Sequence, residues 1–312
     1  ESGRYNFGQN GLGDWSSNLS DMQVDNGATF NGANTPTVVN ALDGAGTVLT
    51  GGGITVGVDN GSGSFSGIIG NSNYGSAYSI TKAGSGTQTL SGANTYTGTT
   101  TINDGTLIID GNQASATGAM TINVNGSLAG SGTIGASMLT VNGVLAPGNS
   151  PGTLSTGSQT WNDGGSYLWE INASNDAGGT IGSDPGWDWL DITGTLELGG
   201  LSAGGFTIDI DSLTSGNIAG DAVGFDSYTK ADGIFDYSFI IATASSGITG
   251  FDADNFTLDS SGFSNAPSWD WQIVLSGSDL VLEAYAVPEP SSTALLGLGG
   301  LALMLRRKRS AA

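Results

Sequence analysis

The stretch that decides the fold is TINDGTL, residues 101–107. It recurs as TINVNGSL at 121–128 and as TVNGVL at 140–145, so successive copies start 20 and 19 residues apart. Each copy opens with Thr, a β-branched residue and Asn, continues with a turn that contains Gly, and closes with Leu. A period near 20 residues is typical of solenoid repeats, in which each unit is completed by its neighbours.

The repeat units consist of short β runs separated by turn residues. The separators are Asn-Gly, Asp-Gly, Ser-Gly or Gly-Gly, and no window has helical periodicity long enough for a helix. Stacked coils would place parallel strands ~4.8 Å apart and bury Ile, Val and Leu between them. The residues therefore predict an all-β fold, a parallel β-helix. The Asn that recurs at 103, 123 and 142 is expected to form a ladder inside it.

Two stretches resemble segments of bacterial passenger domains. Residues 84–98, GSGTQTLSGANTYTG, with GTL following at 105–107, resemble the autotransporter-associated β-strand repeat. Residues 145–154, LAPGNSPGTL, resemble a stretch that often follows that repeat. The resemblance covers residues 83–157 and implies a right-handed parallel β-helix displayed outside the cell.

Composition excludes several classes of active site. The 312 residues include no His and no Cys, so the chain offers no Ser-His-Asp triad, no imidazole or thiolate metal site and no Cys nucleophile. The 28 acidic residues outnumber the 7 basic ones, and four of the basic residues lie at 306–309. A body this acidic is poorly suited to nucleic acid, whose phosphates require clustered Lys and Arg.

The chain divides into three parts by sequence texture. Residues 1–157 carry the repeats, most clearly at 83–157, and are predicted to form the β-helix. Residues 158–286 are richer in aromatic and acidic residues and lose the repeat period while they keep strand patterns. They are predicted to form a β-rich continuation or cap of the solenoid. Residues 287–312 differ from both parts and form a tail.

The tail has three segments: a proline-rich start, an apolar run at 293–305 and a basic end. The first and last segments consist of Val287, Pro288, Glu289, Pro290, Arg306, Arg307, Lys308 and Arg309. The 13 apolar residues would span only about 20 Å as a helix, against a hydrocarbon core of about 30 Å. The run is uncharged, however, and the basic end favours the cytoplasmic side. The pattern predicts a short C-terminal transmembrane helix in the inner membrane.

This order of segments resembles the PEP-CTERM sorting signal over residues 287–309. The resemblance implies that an exosortase recognises the tail and processes it near residues 288–290, in a Gram-negative bacterium that makes extracellular polysaccharide. The protein is then expected to be exported to the cell surface or the medium after transient anchoring by its helix. Residues 1–5 lack the basic and apolar regions of a signal peptide, so the chain is expected to begin after signal cleavage or to be a fragment.

Carboxylates are the main candidates for catalysis. Asp184, Asp188 and Asp191 form the best cluster for a glycosidase, which requires two carboxylates ~5–10 Å apart. Acids beside Gly and Pro usually lie in exposed loops, and this second interpretation is favoured here. The sequence therefore predicts no catalytic residue.

Calcium is the one cofactor that the acidic composition keeps open. Residues 252–256, DADNF, start like an Asp-x-Asp calcium loop. The pattern fails at Phe256, where the loop would need an oxygen ligand. We therefore expect no metal site and no cofactor, apart from weak association of calcium.

Two Trp-Asp-Trp segments stand out in the second part of the chain, with indoles at Trp187, Trp189, Trp269 and Trp271. On a strand this pattern places both indoles on one face and the acid on the other. Two such pairs would suit stacking against neutral sugars. Large aromatic residues in β proteins more often fill the core, which is the favoured interpretation.

These observations predict a non-catalytic protein, secreted or at the cell surface, with a structural or adhesive role in the extracellular matrix, and extracellular polysaccharide as a candidate partner. One alternative is a carbohydrate-binding module that uses the paired Trp residues. A less favoured alternative is a polysaccharide-active enzyme that depends on carboxylates.

Overall fold

A computed structural model describes residues 4–6, 17–32, 35–71, 78–225, 237–265 and 269–286. The predicted tail, including the helix at 293–305, lies outside these residues. Within them the protein is all-β, with thirty strands and two 3₁₀ helices, Asn175–Ala177 and Ala253–Asn255. None of the helices found there has the length and apolar character needed to cross a membrane.

The strands are short and follow one another along the whole described chain. The first eleven are β1 (Arg4–Asn6), β2 (Met22–Val24), β3 (Thr29–Asn31), β4 (Thr37–Val39), β5 (Leu42–Gly44), β6 (Thr47–Thr50), β7 (Ile54–Val56), β8 (Gly63–Phe65), β9 (Ile68–Asn71), β10 (Ile80–Lys82) and β11 (Thr87–Leu90). The next nine are β12 (Thr100–Ile109), β13 (Asn112–Gln113), β14 (Met120–Gly130), β15 (Thr133–Ile134), β16 (Leu139–Val141), β17 (Val144–Pro147), β18 (Thr153–Thr156), β19 (Gln159–Trp161) and β20 (Ser166–Ile171).

The last ten strands cover the region with the aromatic and acidic residues. They are β21 (Thr180–Ile181), β22 (Gly186–Trp187), β23 (Trp189–Ile192), β24 (Leu196–Glu197), β25 (Phe206–Ser212), β26 (Tyr237–Ala244), β27 (Ile248–Thr249), β28 (Phe256–Asp259), β29 (Trp269–Ser276) and β30 (Asp279–Ala286).

The strands form three sheets, of nineteen, seven and four strands, in which pairing is almost entirely parallel. Among the described strands, antiparallel pairing is confined to β20 with β22 and to β30 with both β26 and β29. Strands that neighbour each other in a sheet are mostly not consecutive in the chain, because the chain visits another sheet before it returns. The all-β, mostly parallel fold is confirmed, and its path is consistent with the predicted β-helix.

The three copies of the repeat, which begin at residues 101, 121 and 140, stack on one another in register. Thr101 pairs with Thr121, and Thr121 pairs with Thr140, so one repeat is one coil. The second copy is one residue longer before its turn, and the strand register shifts at that point. Val124 lies there with 70 % of its surface exposed. The hydrogen-bond register therefore sets the period that is visible in the sequence.

Strand β12 turns a corner within one coil. Its first residues pair with β10, and its last residues pair with β11. Between the two halves, Gly105 adopts a φ of +63°, which a residue with a side chain rarely adopts. Gly105 is thus required by the corner of this coil.

The interior is a stack of apolar side chains from successive coils. Leu107, Leu128, Leu145 and Trp161 all have 0 % of their surface exposed. Each buried Leu contributes about 1.5–3 kcal/mol relative to an exposed one, and each needs the next coil to cover it. The coils therefore stabilise one another rather than folding singly.

A column of glycines brings successive coils into close contact. It contains Gly46, Gly67, Gly92, Gly111 and Gly132. A Cβ atom on any of the last four would overlap the carbonyl oxygen of the preceding member. The glycines at this position are needed for space between backbones.

The predicted Asn ladder exists, but its predicted position inside the solenoid is wrong. The Asn123 amide donates to Asn103 Oδ1 at 2.7 Å, and the Asn162 amide donates to Asn142 Oδ1 at 2.9 Å. All four side chains are half-buried or exposed on the outer surface. Successive side chains of a strand alternate between its faces, so the buried Ile102 forces Asn103 outward.

Two of the buried amides have atoms without a hydrogen-bond partner among the described residues. Asn94 Oδ1 accepts from the Ile69 N–H at 2.8 Å, but Asn94 Nδ2 has no partner among the described residues. Gln113 is 1 % exposed, and neither atom of its amide has a partner there. An unsatisfied buried polar group costs about 1–3 kcal/mol.

Replacing Gln113 by the similarly shaped Met should therefore raise the free energy of unfolding by about 1–2 kcal/mol. The matched control is Gln88→Met, because the buried Gln88 amide is fully used. Its Nε2 donates to the Leu42 carbonyl at 2.8 Å, and its Oε1 accepts from the Leu42 N–H at 3.0 Å. Chemical denaturation should show the two variants moving in opposite directions. A loss of stability in both would contradict the assignment of Gln113 as unsatisfied.

Parallel pairing continues beyond the repeats, from β20 to β25 and on to β28. The described chain then ends in antiparallel structure, where β30 lies between β26 and β29. The last strand is therefore held by hydrogen bonds on both sides and ends at Ala286. The division into parts at 157 and 286 stays a prediction.

Candidate functional site

The three carboxylates singled out by sequence differ in burial and in their hydrogen-bond partners. Asp184 is exposed, and its oxygens accept from the amides of Asn172 and Asn217, each at 2.7 Å. Asp191 is half-buried and lies 3.4 Å from the Ser155 hydroxyl. Asp188 is fully buried, with 0 % of its surface exposed. The expectation that these acids lie in exposed loops is thus wrong for Asp188.

Asp188 instead forms a pair with Glu170, which the sequence did not single out. Asp188 Oδ1 accepts from the Gly152 N–H at 2.7 Å, and Oδ2 accepts from the Glu170 N–H at 3.0 Å. Glu170 Oε2 accepts from the Ser150 hydroxyl. Burial raises the pKa of Asp188 well above its ordinary value, and the charge of Glu170 raises it further.

One feature of the sequence, a second acid at Asp211, could have pointed to Glu170. Glu170 lies on β20 beside Asp211 of β25, so two acids face each other across neighbouring strands. Burial raises the pKa of Glu170, and the charge of Asp211 adds to this shift. Acids at matching positions of paired strands are unusual, because like charges repel. The register of the two strands, which only the structure gives, was needed to find that Glu170 faces Asp211.

The described chain offers no free Lys as a catalytic base. Lys82 is completely buried, and its ammonium donates to the carbonyl oxygens of Ala83, Gly84 and Asp104 at 2.8, 2.7 and 3.2 Å. These three contacts use all three of its N–H groups. Lys82 thus stabilises the corner between two coils.

Three of the four indoles, those of Trp187, Trp269 and Trp271, lie in one aromatic cluster around Phe239, and the Trp189 indole donates to the Thr243 hydroxyl at 3.2 Å. Trp187 and Trp269 are each only 7 % exposed, and the ring of Trp187 lies 5.1 Å from that of Phe239. Trp189 and Trp271 are half-buried, and the Trp271 ring lies 6.4 Å from Phe239. The interpretation as core residues fits this burial. Sugar stacking by the four indoles stays a prediction, and at Trp187 and Trp269 protein covers the rings.

The expected pattern, with both indoles on one face of a strand and the acid on the other, holds at one of the two Trp-Asp-Trp segments. On β29 Trp269 is buried, Trp271 is half-buried and Asp270 is exposed. At 187–189 the chain changes strands between the two indoles, which lie on β22 and β23. The acid between them is therefore buried rather than exposed.

The acidic segment at 252–256 forms a 3₁₀ turn. Asp252 Oδ1 accepts from the Asp254 N–H at 3.1 Å and so caps the helix Ala253–Asn255. Among the described residues, no three His, Cys, Asp or Glu side chains lie together in a way that would hold a metal ion.

A regular stack of Thr and Asn side chains lies on the surface, and we call it the Thr–Asn face. It consists of Thr55, Thr81, Thr101, Thr121, Thr140 and Thr160 with Asn103, Asn123, Asn142 and Asn162. Direct strand pairing links each Thr to the next. With strands ~4.8 Å apart, the six Thr residues span about 24 Å.

The Thr–Asn face carries no charge. The residues two positions before and after each Thr, which point to the same side of the strand, are Gly, Ser, Thr, Ala, Met or Asn. The net charge of the chain is −21, so an uncharged stripe of this length is distinctive. Beyond Thr160, the next residue in the Thr column is acidic: it is Glu197, which pairs with Thr160.

The residues predicted to form the sorting signal, 287–290 and 306–309, lie outside the described residues. The structure places the end of β30 at Ala286, where that signal is predicted to begin. The folded part of the chain therefore reaches directly to the motif.

Comparison with known families gives two matches. A family model described as a passenger-associated-transport-repeat matches residues 80–109, and one described as a PEP-CTERM protein-sorting motif matches residues 286–309. A comparison with curated proteins found no significant match. The sorting motif implies an exported protein, at the cell surface or outside the cell, that is processed by an exosortase. The chain thus joins a passenger-associated transport repeat, within an all-β body, to a C-terminal PEP-CTERM protein-sorting motif.

Proposed function

We propose that the protein is a non-catalytic structural or adhesive component of the extracellular matrix, and that its Thr–Asn face binds neutral polysaccharide. The sorting motif supports a location outside the cell. Transient attachment to the inner membrane through residues 293–305 belongs to the same proposal. The observation that carries the proposal is the uncharged, regularly spaced Thr–Asn face on an acidic body.

The chemistry of the face suits a polyhydroxylated partner. Thr hydroxyls both donate and accept hydrogen bonds, and so do Asn amides, which matches the hydroxyl groups of sugars. Each hydrogen bond contributes only about 0.5–1.5 kcal/mol net, so one contact would be weak. The repeat along the stack allows many contacts by one polymer chain, and linked contacts strengthen one another.

Charge favours a neutral polymer over an anionic one. Outside the face, the body carries most of the 28 acidic residues and few basic ones. An anionic polysaccharide would be repelled by this field at low ionic strength. A neutral polysaccharide meets no such cost on the Thr–Asn face.

Removing three hydroxyl groups from the face should weaken binding by roughly 100-fold, at about 1 kcal/mol each. The variant is Thr101→Val, Thr121→Val and Thr140→Val together, because Val keeps the β-branched shape. The measurement is calorimetric titration with neutral polysaccharide purified from the matrix of the producing cells.

The matched control changes three half-buried Thr residues on the other outward strip of the same sheet: Thr87→Val, Thr106→Val and Thr207→Val. This control should bind as tightly as the unaltered protein. Equal loss in both variants would show that binding does not use the Thr–Asn face. If neither the unaltered protein nor either variant binds, neutral polysaccharide is excluded as the partner.

A further inference from the structure

The loop at 148–152 connects β17 to β18 and is held at two points by carboxyl groups. The Gly152 N–H donates to Asp188 Oδ1 at 2.7 Å, and the Ser150 hydroxyl donates to Glu170 Oε2. The Gly152 carbonyl also accepts from the Trp189 N–H at 2.9 Å. These contacts lie where β18 begins to pair with β23, so they join the repeat coils to the following region.

The Asp188 carboxyl group is bonded to the backbone of Glu170 as well as to the loop. The Glu170 N–H donates to Asp188 Oδ2 at 3.0 Å, and the Asp188 N–H donates to the Glu170 carbonyl at 2.9 Å. The Trp169 indole donates to the Asp188 carbonyl at 3.0 Å. Asp188 is thus fixed in a buried position beside a second acid.

No cation offsets these two acids among the side chains that the structure describes, because Lys82 is used elsewhere. Two titratable groups interact with the pair directly: Tyr167 on β20 with Asp188, and Asp211 on β25 with Glu170. Asp209 on β25 and Asp259 on β28 lie beyond them and interact with Asp211. The neighbouring acids Asp184 and Asp191 have their own hydrogen-bond partners. Glu170 therefore repels Asp188 when both ionise, and Asp211 repels Glu170.

We propose that Asp188 and Glu170 form a pH-sensitive latch, which holds the 148–152 loop closed in acid and releases it as the pH rises. Ionisation places two negative charges together, on the fully buried Asp188 and the half-buried Glu170, in a site that lacks a described counter-ion. Opening the loop exposes these charges to water. The hydrogen bonds from Gly152 and Ser150 favour the ionised carboxylates and lower the two pKa values, but burial is the larger cause, so ionisation on balance destabilises the closed loop.

The direction of the effect follows from linkage. Burial raises the pKa of both Asp188 and Glu170 in the folded protein, so the folded state binds protons more tightly than the unfolded state. Their contribution to stability is complete below the unfolded pKa of about 4. It is lost as the pH rises through the folded pKa values.

The test is hydrogen exchange of the Gly152 amide in the full-length chain between pH 4.5 and 8.5, expressed as a protection factor relative to the unfolded chain. We expect protection to fall at least tenfold with rising pH in the unaltered protein. In Asp188→Asn, and separately in Glu170→Gln, the profile should flatten. Asp163→Asn is the control, because Asp163 is an exposed acid bonded to Ser202, and it should keep the original profile.

Two results would overturn the proposal. One is a Gly152 protection factor that stays constant across this pH range in the unaltered protein, a measurement that needs no variant to fold. The other is an unchanged pH profile in both Asp188→Asn and Glu170→Gln. A purely structural role for the pair would lower protection in the variants at every pH and leave the slope as it was.

Discussion

Replacing Gly92 by Ala should lower the free energy of unfolding by about 3 kcal/mol, the upper end of the usual cost of overpacking. The added Cβ atom would overlap the carbonyl oxygen of Gly67 in the preceding coil. That oxygen belongs to backbone whose position is fixed by the parallel pairing on either side. The coils cannot separate locally without breaking several of these hydrogen bonds, so the clash has no inexpensive relief.

Gly200→Ala is the matched control. No atom lies within 4 Å of the position that its Cβ would occupy, and its φ is not positive. Its effect should stay within about 0.5 kcal/mol, as for other surface substitutions. Thermal and chemical denaturation of both variants provide the measurement. Equal stability of the two would mean that successive coils do not approach each other at the glycine column.

The same geometry explains why the coil period was predictable from sequence. Parallel pairing aligns residues at equal positions of successive coils, so Thr101, Thr121 and Thr140 recur at the spacing of the hydrogen bonds. The face on which Asn103 lies was mispredicted, although the buried Ile102 beside it determines that face. The repeat period and the strand face on which a residue lies are separate properties, and the prediction used only the period.

The carboxyl pair was not predictable in the same way. Glu170 and Asp188 lie 18 residues apart, and no repeat relates them. They meet because the chain between them leaves the sheet and returns through β22. Acid residues beside Gly and Pro are usually exposed, which made a buried Asp188 the less expected outcome. Sequence patterns indicate the face of its own strand on which a residue lies. The contact between Glu170 and Asp188 depends instead on how distant parts of the chain come together.

Replacing both Pro288 and Pro290 by Ala should abolish processing of the tail. Proline fixes φ and favours an extended peptide, the form in which a processing enzyme binds a segment next to its cut site. We expect the unaltered protein from producing cells to lose most of residues 291–312, and the double variant to retain Arg306–Arg309. Intact mass spectrometry of cell and medium fractions measures both.

Folding of the body should not change with this processing. Strand β30 ends at Ala286 and is paired with β26 on one side and β29 on the other, so a cut after residue 287 removes none of its hydrogen bonds. The processed protein should therefore unfold at the same denaturant concentration as the double variant. Ser291→Ala, beside the motif, is the control and should be processed normally. A double variant that is still shortened would mean that the prolines are not what the enzyme recognises, and an uncut original would mean that the tail acts as a permanent anchor.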